Sequence, residues 1–275
     1  MQQLLRHFSS HSTPKTPMHS LPAGPQCTAG RLEKWRVIMS SPALRASLLA
    51  LSASLATSAL ADDANAAWQV IETNGLCATG TPYQFYVHAG TSPDLTIFFN
   101  GGGACWFGRQ CDLEAEPVTH LPFAQMPEND PRNFGGMLDL AKADNPFADD
   151  TIVVLPYCTG DVHVGGGAQT YQYEAQGGGQ KSVTVQHVGG ANAAEVLDWV
   201  YDAHSAPGRI TVAGVSAGGI GASFYSGQIA AHYPQTPVVL ISDSAGGYGS
   251  PNLKAGFTAW NTAAILPDWP EYAGK

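Results

Sequence analysis

Ser216 lies at the centre of residues 214–218 (GVSAG), which have the pattern G-x-S-x-G. The pattern follows an apolar run at 209–213 and precedes a stretch of small and apolar residues, so we expect a sharp turn from a strand into a helix. The flanking glycines leave space for such a turn, and a helix N-terminus favours negative charge that develops beside it. This context favours Ser216 as a catalytic nucleophile over an incidental serine in a glycine-rich turn.

A second glycine-rich segment, residues 100–104 (NGGGA), follows another apolar run at 95–99. Its glycines allow backbone N–H groups to approach a substrate, and together with the N–H of Ala217 they can hold the oxyanion of a tetrahedral intermediate. The segment parallels the H-G-G-G loop of esterases and lipases, with Asn100 in place of the histidine. A phosphate-binding loop is the alternative, but no Lys-Ser/Thr pair follows and the spacing is not G-x-G-x-x-G.

The acid and base that a catalytic serine needs are not evident. In α/β-hydrolases they follow the serine along the chain, and the only histidine after Ser216 is His232. At about 1.5 Å per helical residue, His232 should lie roughly 20 Å from Ser216. Asp243 is a conceivable acid, and His163 and His187 lie in predicted loops that could line a cleft. No histidines and acids have metal-ligand spacing, so the sequence predicts no metal.

The elements that must position these residues alternate along the chain. The sequence predicts strands at 81–88, 95–99, 151–155, 209–213 and 238–241, and helices at 191–204 and 217–232. It also predicts a long excursion with short helices at 107–150 and a surface loop at 160–188. Buried strands that alternate with helices indicate an α/β domain with a mostly parallel sheet.

The N-terminal part has a different character. Residues 39–61 combine a basic start, an apolar segment of small residues and an A-x-A cleavage pattern, which is typical of a secretory signal peptide. A buried amphipathic helix is the alternative. Residues 1–38 are irregular and basic, and either a mis-assigned start codon before Met39 or a long leader would account for them. We therefore expect residues 62–275 to form the exported domain.

Composition excludes several classes of protein. The chain has 22 acidic and 13 basic residues, and residues 62–275 alone carry a formal charge of −14, so binding to nucleic acid is not expected. No apolar run reaches the ~18 residues of a membrane span. Four cysteines remain after position 61, at 77, 105, 111 and 158. An even set in an oxidising compartment is consistent with two disulfide bonds.

Four ordered motifs resemble those of the pectin acetylesterase family, which includes plant and bacterial pectin acetylesterases and Notum-type carboxylesterases. The motifs are residues 99–106 (FNGGGACW), 155–162 (LPYCTGDV), 214–219 (GVSAGG) and 242–246 (SDSAG). The resemblance covers about residues 75–250. It implies an α/β-hydrolase-like fold, a mostly parallel central sheet flanked by helices, and cleavage of acyl esters by a Ser-Asp-His triad without a cofactor.

The resemblance also assigns roles to individual residues. Ser216 matches the nucleophile, and Gly102, Gly103 and Ala217 match the oxyanion-hole positions. The cysteine pairs implied are Cys77–Cys158 and Cys105–Cys111. Asp243 matches a segment that does not supply the triad acid.

The family's acid and histidine lie much farther beyond the serine than the 59 residues that follow Ser216 here. We therefore expect residues 62–275 to be the N-terminal portion of a serine esterase domain whose C-terminal part is missing. A frameshifted gene, a fragmentary gene model and a genuinely short paralogue would each produce this.

The expected function is that of a secreted or periplasmic, monomeric esterase that removes acyl groups, such as acetyl, from a polysaccharide such as pectin. Its partner would be an O-acylated carbohydrate or another ester, with no nucleic acid and no integral membrane association. A polyester or lipid carboxylesterase, and a non-catalytic remnant or extracellular binding module, are the alternatives.

Overall fold

The computed structural model describes residues 68–246 and 249–269. The expected N-terminal extension (1–38) and signal peptide (39–61) lie outside the described residues. Within the described part of the chain, no helix is both long enough and apolar enough to cross a membrane.

The described residues form eight strands and four α-helices. The strands are β1 (Trp68–Leu76), β2 (Pro82–His88), β3 (Leu95–Phe99), β4 (Thr151–Leu155), β5 (Gly167–Glu174), β6 (Gln180–His187), β7 (Ile210–Val215) and β8 (Val238–Asp243). The helices are α1 (Gly108–Cys111), α2 (Gly189–Ala203), α3 (Ala217–His232) and α4 (Pro251–Ala259). Short 3-10 helices lie at Pro127–Asn129, Pro131–Asn133, Gly136–Leu138 and Thr262–Ile265.

Six strands make the central sheet, in the order β1-β2-β4-β3-β7-β8. Strands β4, β3, β7 and β8 are parallel, and β1 and β2 extend one edge in antiparallel pairing. The predicted α/β class with a mostly parallel sheet is therefore confirmed. The short apolar runs of β3, β4 and β7 are buried almost throughout, as parallel strands covered on both faces require.

Successive residues of the central strands alternate between two apolar clusters, because side chains point to opposite faces of a sheet. On one face, Ile97 and Phe99 pack with residues of α2 and α3, among them Val196 and Ile229. On the other face lies a second cluster from β2, β3, β4, β7 and the 107–150 excursion, and its buried members are Tyr86, Phe98, Leu138, Ile152, Val154 and Ala213. The excursion, predicted correctly as irregular with short helices, thus covers one face of the sheet.

The predicted surface loop at 160–188 is wrong, because most of it forms the antiparallel hairpin of β5 and β6. Residues of β5 alternate strictly between partly buried and exposed positions, which is the period-2 signal of a strand. The glycines at the hairpin tip, Gly177, Gly178 and Gly179, all have positive φ. The high Gly and Gln content therefore belongs to a tight turn and a polar outer face. Strand β1 and helix α4 were not predicted from the sequence.

Strand β8 forms the other edge of the sheet and leaves apolar side chains accessible. Val239, Leu240 and Ile241 are each more than a third exposed. An exposed apolar edge strand is a site where chains can associate.

Both cysteine pairs implied by the family resemblance are present as disulfide bonds. Cys77–Cys158 links the end of β1 to the segment after β4 across 81 residues of sequence. Cys105–Cys111 closes a short loop with a sequence separation of 6. All four cysteines are at most 1% exposed.

We predict that Cys77–Cys158 stabilises the fold more than Cys105–Cys111 does. A cross-link that closes a longer loop removes more entropy from the unfolded chain, so the loss should be about 4 to 5 kcal/mol for Cys77→Ala/Cys158→Ala and about 2 kcal/mol for Cys105→Ala/Cys111→Ala. Urea unfolding of both double variants would measure this. Equal losses would contradict the prediction.

Candidate active site

Ser216 sits on a strained turn between β7 and α3. Its backbone angles are φ 55° and ψ −121°, a region in which a residue with a side chain costs about 1 to 3 kcal/mol. The turn is held from two sides: Ser216 N–H donates to Asp243 O at 2.9 Å, and Ser216 O accepts from Gly219 N–H at 3.0 Å. The Ser216 side chain is exposed, although Gly214 and Ala217 around it are buried.

The turn is possible because backbone packs directly against backbone. A Cβ added to Gly218 would lie 2.0 Å from Phe99 O, and one added to Gly214 would lie 2.3 Å from Gly218 O. A Cβ on Gly101 would lie 2.5 Å from Val215 O and 3.2 Å from Ser216 Cβ. Glycine at these positions therefore brings the end of β3 against the turn that carries Ser216.

The glycine loop after β3 presents unpaired amides. Gly101 N–H donates to Asn100 Oδ1 at 2.9 Å. The N–H groups of Gly102, Gly103 and Ala217, in contrast, have no acceptor within 68–246 and 249–269. An oxyanion hole requires amides that have no acceptor of their own. Gly101, which the sequence analysis did not single out, is the loop residue that approaches Ser216, and its position directly after β3 is the signal that could have indicated this.

Two buried asparagines, Asn100 and Asn129, connect the glycine loop to neighbouring segments by hydrogen bonds. Asn100 Nδ2–H donates to Asn129 Oδ1 at 2.8 Å and to Glu128 O at 2.6 Å. Asn129 in turn accepts from Tyr157 N–H at 2.8 Å and donates to Tyr157 O at 2.8 Å and Phe123 O at 3.0 Å. Buried polar groups are costly unless paired, so this network holds the 107–150 excursion, the segment after β4 and the glycine loop in one arrangement.

His163 contacts the start of the glycine loop, and Asp161 binds the backbone of His163 and Gly189. Among the described residues, neither side chain hydrogen-bonds to Ser216. His163 Nε2 lies 2.8 Å from Asn100 O, and burial lowers the pKa of His163. Because a carbonyl oxygen can only accept, Nε2 carries a hydrogen and donates it to Asn100 O. Asp161 accepts from Thr159 Oγ1–H at 2.6 Å and from Gly189 N–H at 2.7 Å. Burial raises the pKa of Asp161, and these donors partly offset the effect.

The remaining histidines named in the sequence analysis do not join Ser216. His187 ends β6, where Nδ1 lies 2.8 Å from Thr159 O and Nε2 lies 2.9 Å from Tyr171 Oη. Burial lowers the pKa of His187 to about 4. His232 is the last residue of α3, as expected, and stacks on Tyr201 with ring centroids 3.7 Å apart. Among the described residues, Ser216 Oγ has no hydrogen-bond partner.

Asp243 ends β8 and contributes its backbone to the turn. Its carbonyl accepts from Ser216 N–H, whereas its side chain accepts from Ser244 Oγ–H at 2.9 Å. Ser216 is therefore held by the Asp243 backbone, which any residue type would supply, and not by the carboxylate.

A serine on a strand–turn–helix at the end of a mostly parallel sheet, next to a glycine-rich loop, is typical of an α/β-hydrolase-like protein. The family model described as Pectinacetylesterase matches residues 59–252. The chain therefore belongs to the pectinacetylesterase family.

Solved structures agree with the fold. The Wnt deacylase Notum from Drosophila, in two crystal forms, is 20% identical, with TM-scores of 0.51 and 0.55. The alignments cover 70% and 71% of this chain but only 60% and 61% of the Notum chain. The present chain thus spans less than two thirds of that structure. The search of curated proteins found no match.

We predict that Ser216→Gly is more stable than Ser216→Ala. Glycine adopts positive φ without steric cost, whereas alanine keeps the strain, so the difference should be about 1 kcal/mol in favour of glycine. Urea unfolding of both variants would measure it. Ser226, inside α3, is the matched control, because there glycine should be less stable than alanine by about 1 kcal/mol. If the alanine variant were more stable than the glycine variant at both positions, the backbone strain at Ser216 would be contradicted.

We also predict that Asn129→Ala destabilises the protein by at least about 3 kcal/mol. The change leaves several buried donors and acceptors unpaired, each at a cost of about 1 to 3 kcal/mol. Asn133→Ala is the control, since Asn133 is exposed and donates one side-chain hydrogen bond, to Pro127 O. Thermal or urea unfolding would compare the two, and similar losses would show that the buried network adds little.

Proposed function

We propose that this protein is a serine esterase in which Ser216 is the nucleophile and the N–H groups of Gly102, Gly103 and Ala217 form the oxyanion hole. The observation that carries the proposal is the exposed Ser216 hydroxyl on a strained turn directly beside the glycine loop. Strain of this kind concentrates at functional sites. Membership of the pectinacetylesterase family supports the reaction class.

In the proposed reaction, Ser216 Oγ gives its proton to a base and attacks the ester carbonyl carbon. The carbonyl oxygen becomes an oxyanion, and the three amides stabilise it, an effect worth about 3 to 4 kcal/mol for one donor in comparable enzymes. Collapse of the intermediate releases the alcohol, and water then releases the acid from the acyl-serine. No described residue hydrogen-bonds to Ser216 Oγ and could act as this base. We therefore propose that a group other than the described neighbours of Ser216 accepts the proton.

The proposed substrate is an O-acetylated polysaccharide such as pectin, as the family description suggests. The charge of −14 on residues 62–275 opposes binding of a strongly anionic polymer, so esterified or neutral stretches should be favoured. The two disulfide bonds and the sequence of 39–61 support a secreted or periplasmic protein, which we propose acts as a monomer.

A non-catalytic binding protein is the second candidate. The observation that favours it is that Ser216 Oγ has no hydrogen-bond partner within the described residues, so nothing there raises its nucleophilicity. A polyester or lipid carboxylesterase would share the Ser216 chemistry and differ only in the groups that surround the ester.

We predict that added imidazole increases p-nitrophenyl acetate hydrolysis by the wild-type chain far more than by Ser216→Ala. A positioned general base increases the rate about 10² to 10⁴-fold. Imidazole from solution should recover part of this, so that the rate of the Ser216-dependent reaction rises at least about tenfold. Mass spectrometry should detect an acetyl group on Ser216 during turnover. Acetate release from acetylated pectin and acetylated xylan would then compare anionic and neutral polymers.

The matched control is Ser244→Ala, since Ser244 is also exposed and has a φ of 53°. It should behave as wild type. Equal imidazole-dependent rates in wild type and Ser216→Ala, with no acetyl-serine, would favour the binding protein over the esterase.

A further inference from the structure

A compact group of sulfur and imidazole side chains lies beneath the hairpin of β5 and β6. The Sγ atoms of Cys105 and Cys111 and one ring nitrogen of His187 lie within 4.8 Å of one another, and all three residues are buried. They come from separate places in the chain: the loop after β3, helix α1 and the end of β6. Cys105 and Cys111 are six residues apart and joined by a disulfide bond, whereas the fold brings His187 to them.

His120 lies near Cys105 Sγ, and it is unusual for a buried histidine. Its ring nitrogens are outside the group of donor atoms that lie within 4.8 Å of one another, so the ring must turn or shift to reach a shared ion. It is 4% exposed, and neither ring nitrogen has a hydrogen-bond partner among the described residues. A Cβ built on Gly160 would lie 3.1 Å from His120 Cδ2 and 3.2 Å from Cys105 Sγ, so the ring and the sulfur border one small space. An imidazole buried with both nitrogens unpaired costs free energy that a ligand would recover.

A cavity of about 300 Å³ leads to this group. Cys111 and His120 line it, together with Asp112, Glu114 and Lys181. The Glu114 side chain is 83% exposed, so the cavity reaches solvent at that end. Lys181 pairs with both acids, at 2.6 Å from Asp112 and 2.8 Å from Glu114. The three charges sum to −1, which does not repel a cation.

We propose that, when the Cys105–Cys111 disulfide is reduced, Cys105, Cys111, His187 and His120 bind one zinc-like cation. Two thiolates and two imidazoles are a ligand set typical of structural zinc sites. The disulfide and the metal exclude each other, because bonded sulfurs offer no thiolate. The sulfurs must part to roughly 3.8 Å, the separation in a tetrahedral site with Zn–S bonds near 2.3 Å.

The backbone around the cysteines already permits this separation. The Cα atoms of Cys105 and Cys111 are 5.1 Å apart, so rotation of the two side chains can part the sulfurs without a large backbone shift. If His187 coordinates through Nε2, its Nδ1–H keeps the bond to Thr159 O. In metal-binding histidines, the ring N–H that does not face the metal commonly donates a hydrogen bond to a carbonyl, and this bond orients the ring. The hydrogen bond from Tyr171 Oη would be given up.

The reaction balances with a phosphine as the reductant. The phosphine supplies two electrons that break the S–S bond and becomes a phosphine oxide with an oxygen from water, whose two protons go to the sulfurs. Binding of the divalent cation then releases two protons from the two thiols. The proposal does not depend on the esterase function.

The test is titration of the phosphine-reduced full chain with Co²⁺, a spectroscopic substitute for Zn²⁺. We expect one equivalent to bind, with thiolate-to-cobalt charge-transfer absorption, the strong visible bands of tetrahedral cobalt, and two protons released per ion. Zn²⁺ should displace the Co²⁺. The oxidised chain should show none of these signals.

Three variants locate the site. Cys105→Ala/Cys111→Ala, which retains Cys77 and Cys158, should lose the charge-transfer absorption after reduction. His120→Ala and His187→Ala should each weaken Co²⁺ binding by at least about tenfold, while His204→Ala should bind as wild type. Circular dichroism before and after reduction reports folding.

Two results would overturn the proposal. One is an undiminished signal in Cys105→Ala/Cys111→Ala, because the thiolates would then come from Cys77 and Cys158. The other is a reduced wild-type chain, folded or unfolded, that gives no tetrahedral cobalt spectrum.

Discussion

The contact between the end of β3 and the turn after β7 is the constraint on which the site depends. The two strands pair in parallel and in register, with Phe99 opposite Gly214, so the loops that follow them leave the sheet side by side. Because Gly101 and Gly218 have no Cβ, the backbones approach more closely than any other residue would allow. One sheet register therefore sets both where Ser216 stands and where the glycine amides lie.

That contact needs support, since a glycine-rich loop has little intrinsic rigidity. Asn100 supplies it with both ends of its side chain: Oδ1 accepts from Gly101 N–H and Nδ2–H donates to Asn129. His163 holds the Asn100 carbonyl from the other direction. Paired groups in a dry environment are held strongly because every alternative leaves one of them unpaired. The N–H groups of Gly102, Gly103 and Ala217, in contrast, have no acceptor among the described residues.

The sequence predicted the parts of the fold that have a strong local signal. Short continuous apolar runs predicted β3, β4 and β7, and a run of small and apolar residues predicted the helix after Ser216. The alternation of strands and helices predicted the α/β class. The hairpin of β5 and β6 was missed because its glycine and glutamine content outweighed a clear alternation. The approach of Gly101 to Ser216, and the roles of Asn129 and His163, depend on long-range contacts that no local pattern contains. Both disulfide pairs came from the family resemblance and not from spacing.

The same limitation explains why metal-ligand spacing gave no signal. Ligand motifs that can be recognised in sequence place donors on one turn or helix, whereas Cys105, Cys111, His120 and His187 converge from four segments. His120 was not a candidate residue in the sequence analysis. It is distinguished by its burial and by two ring nitrogens that have no partner in the described part of the chain. A buried polar group without a partner is therefore more informative than residue type, because a folded protein rarely retains such a group without a compensating contact in some state.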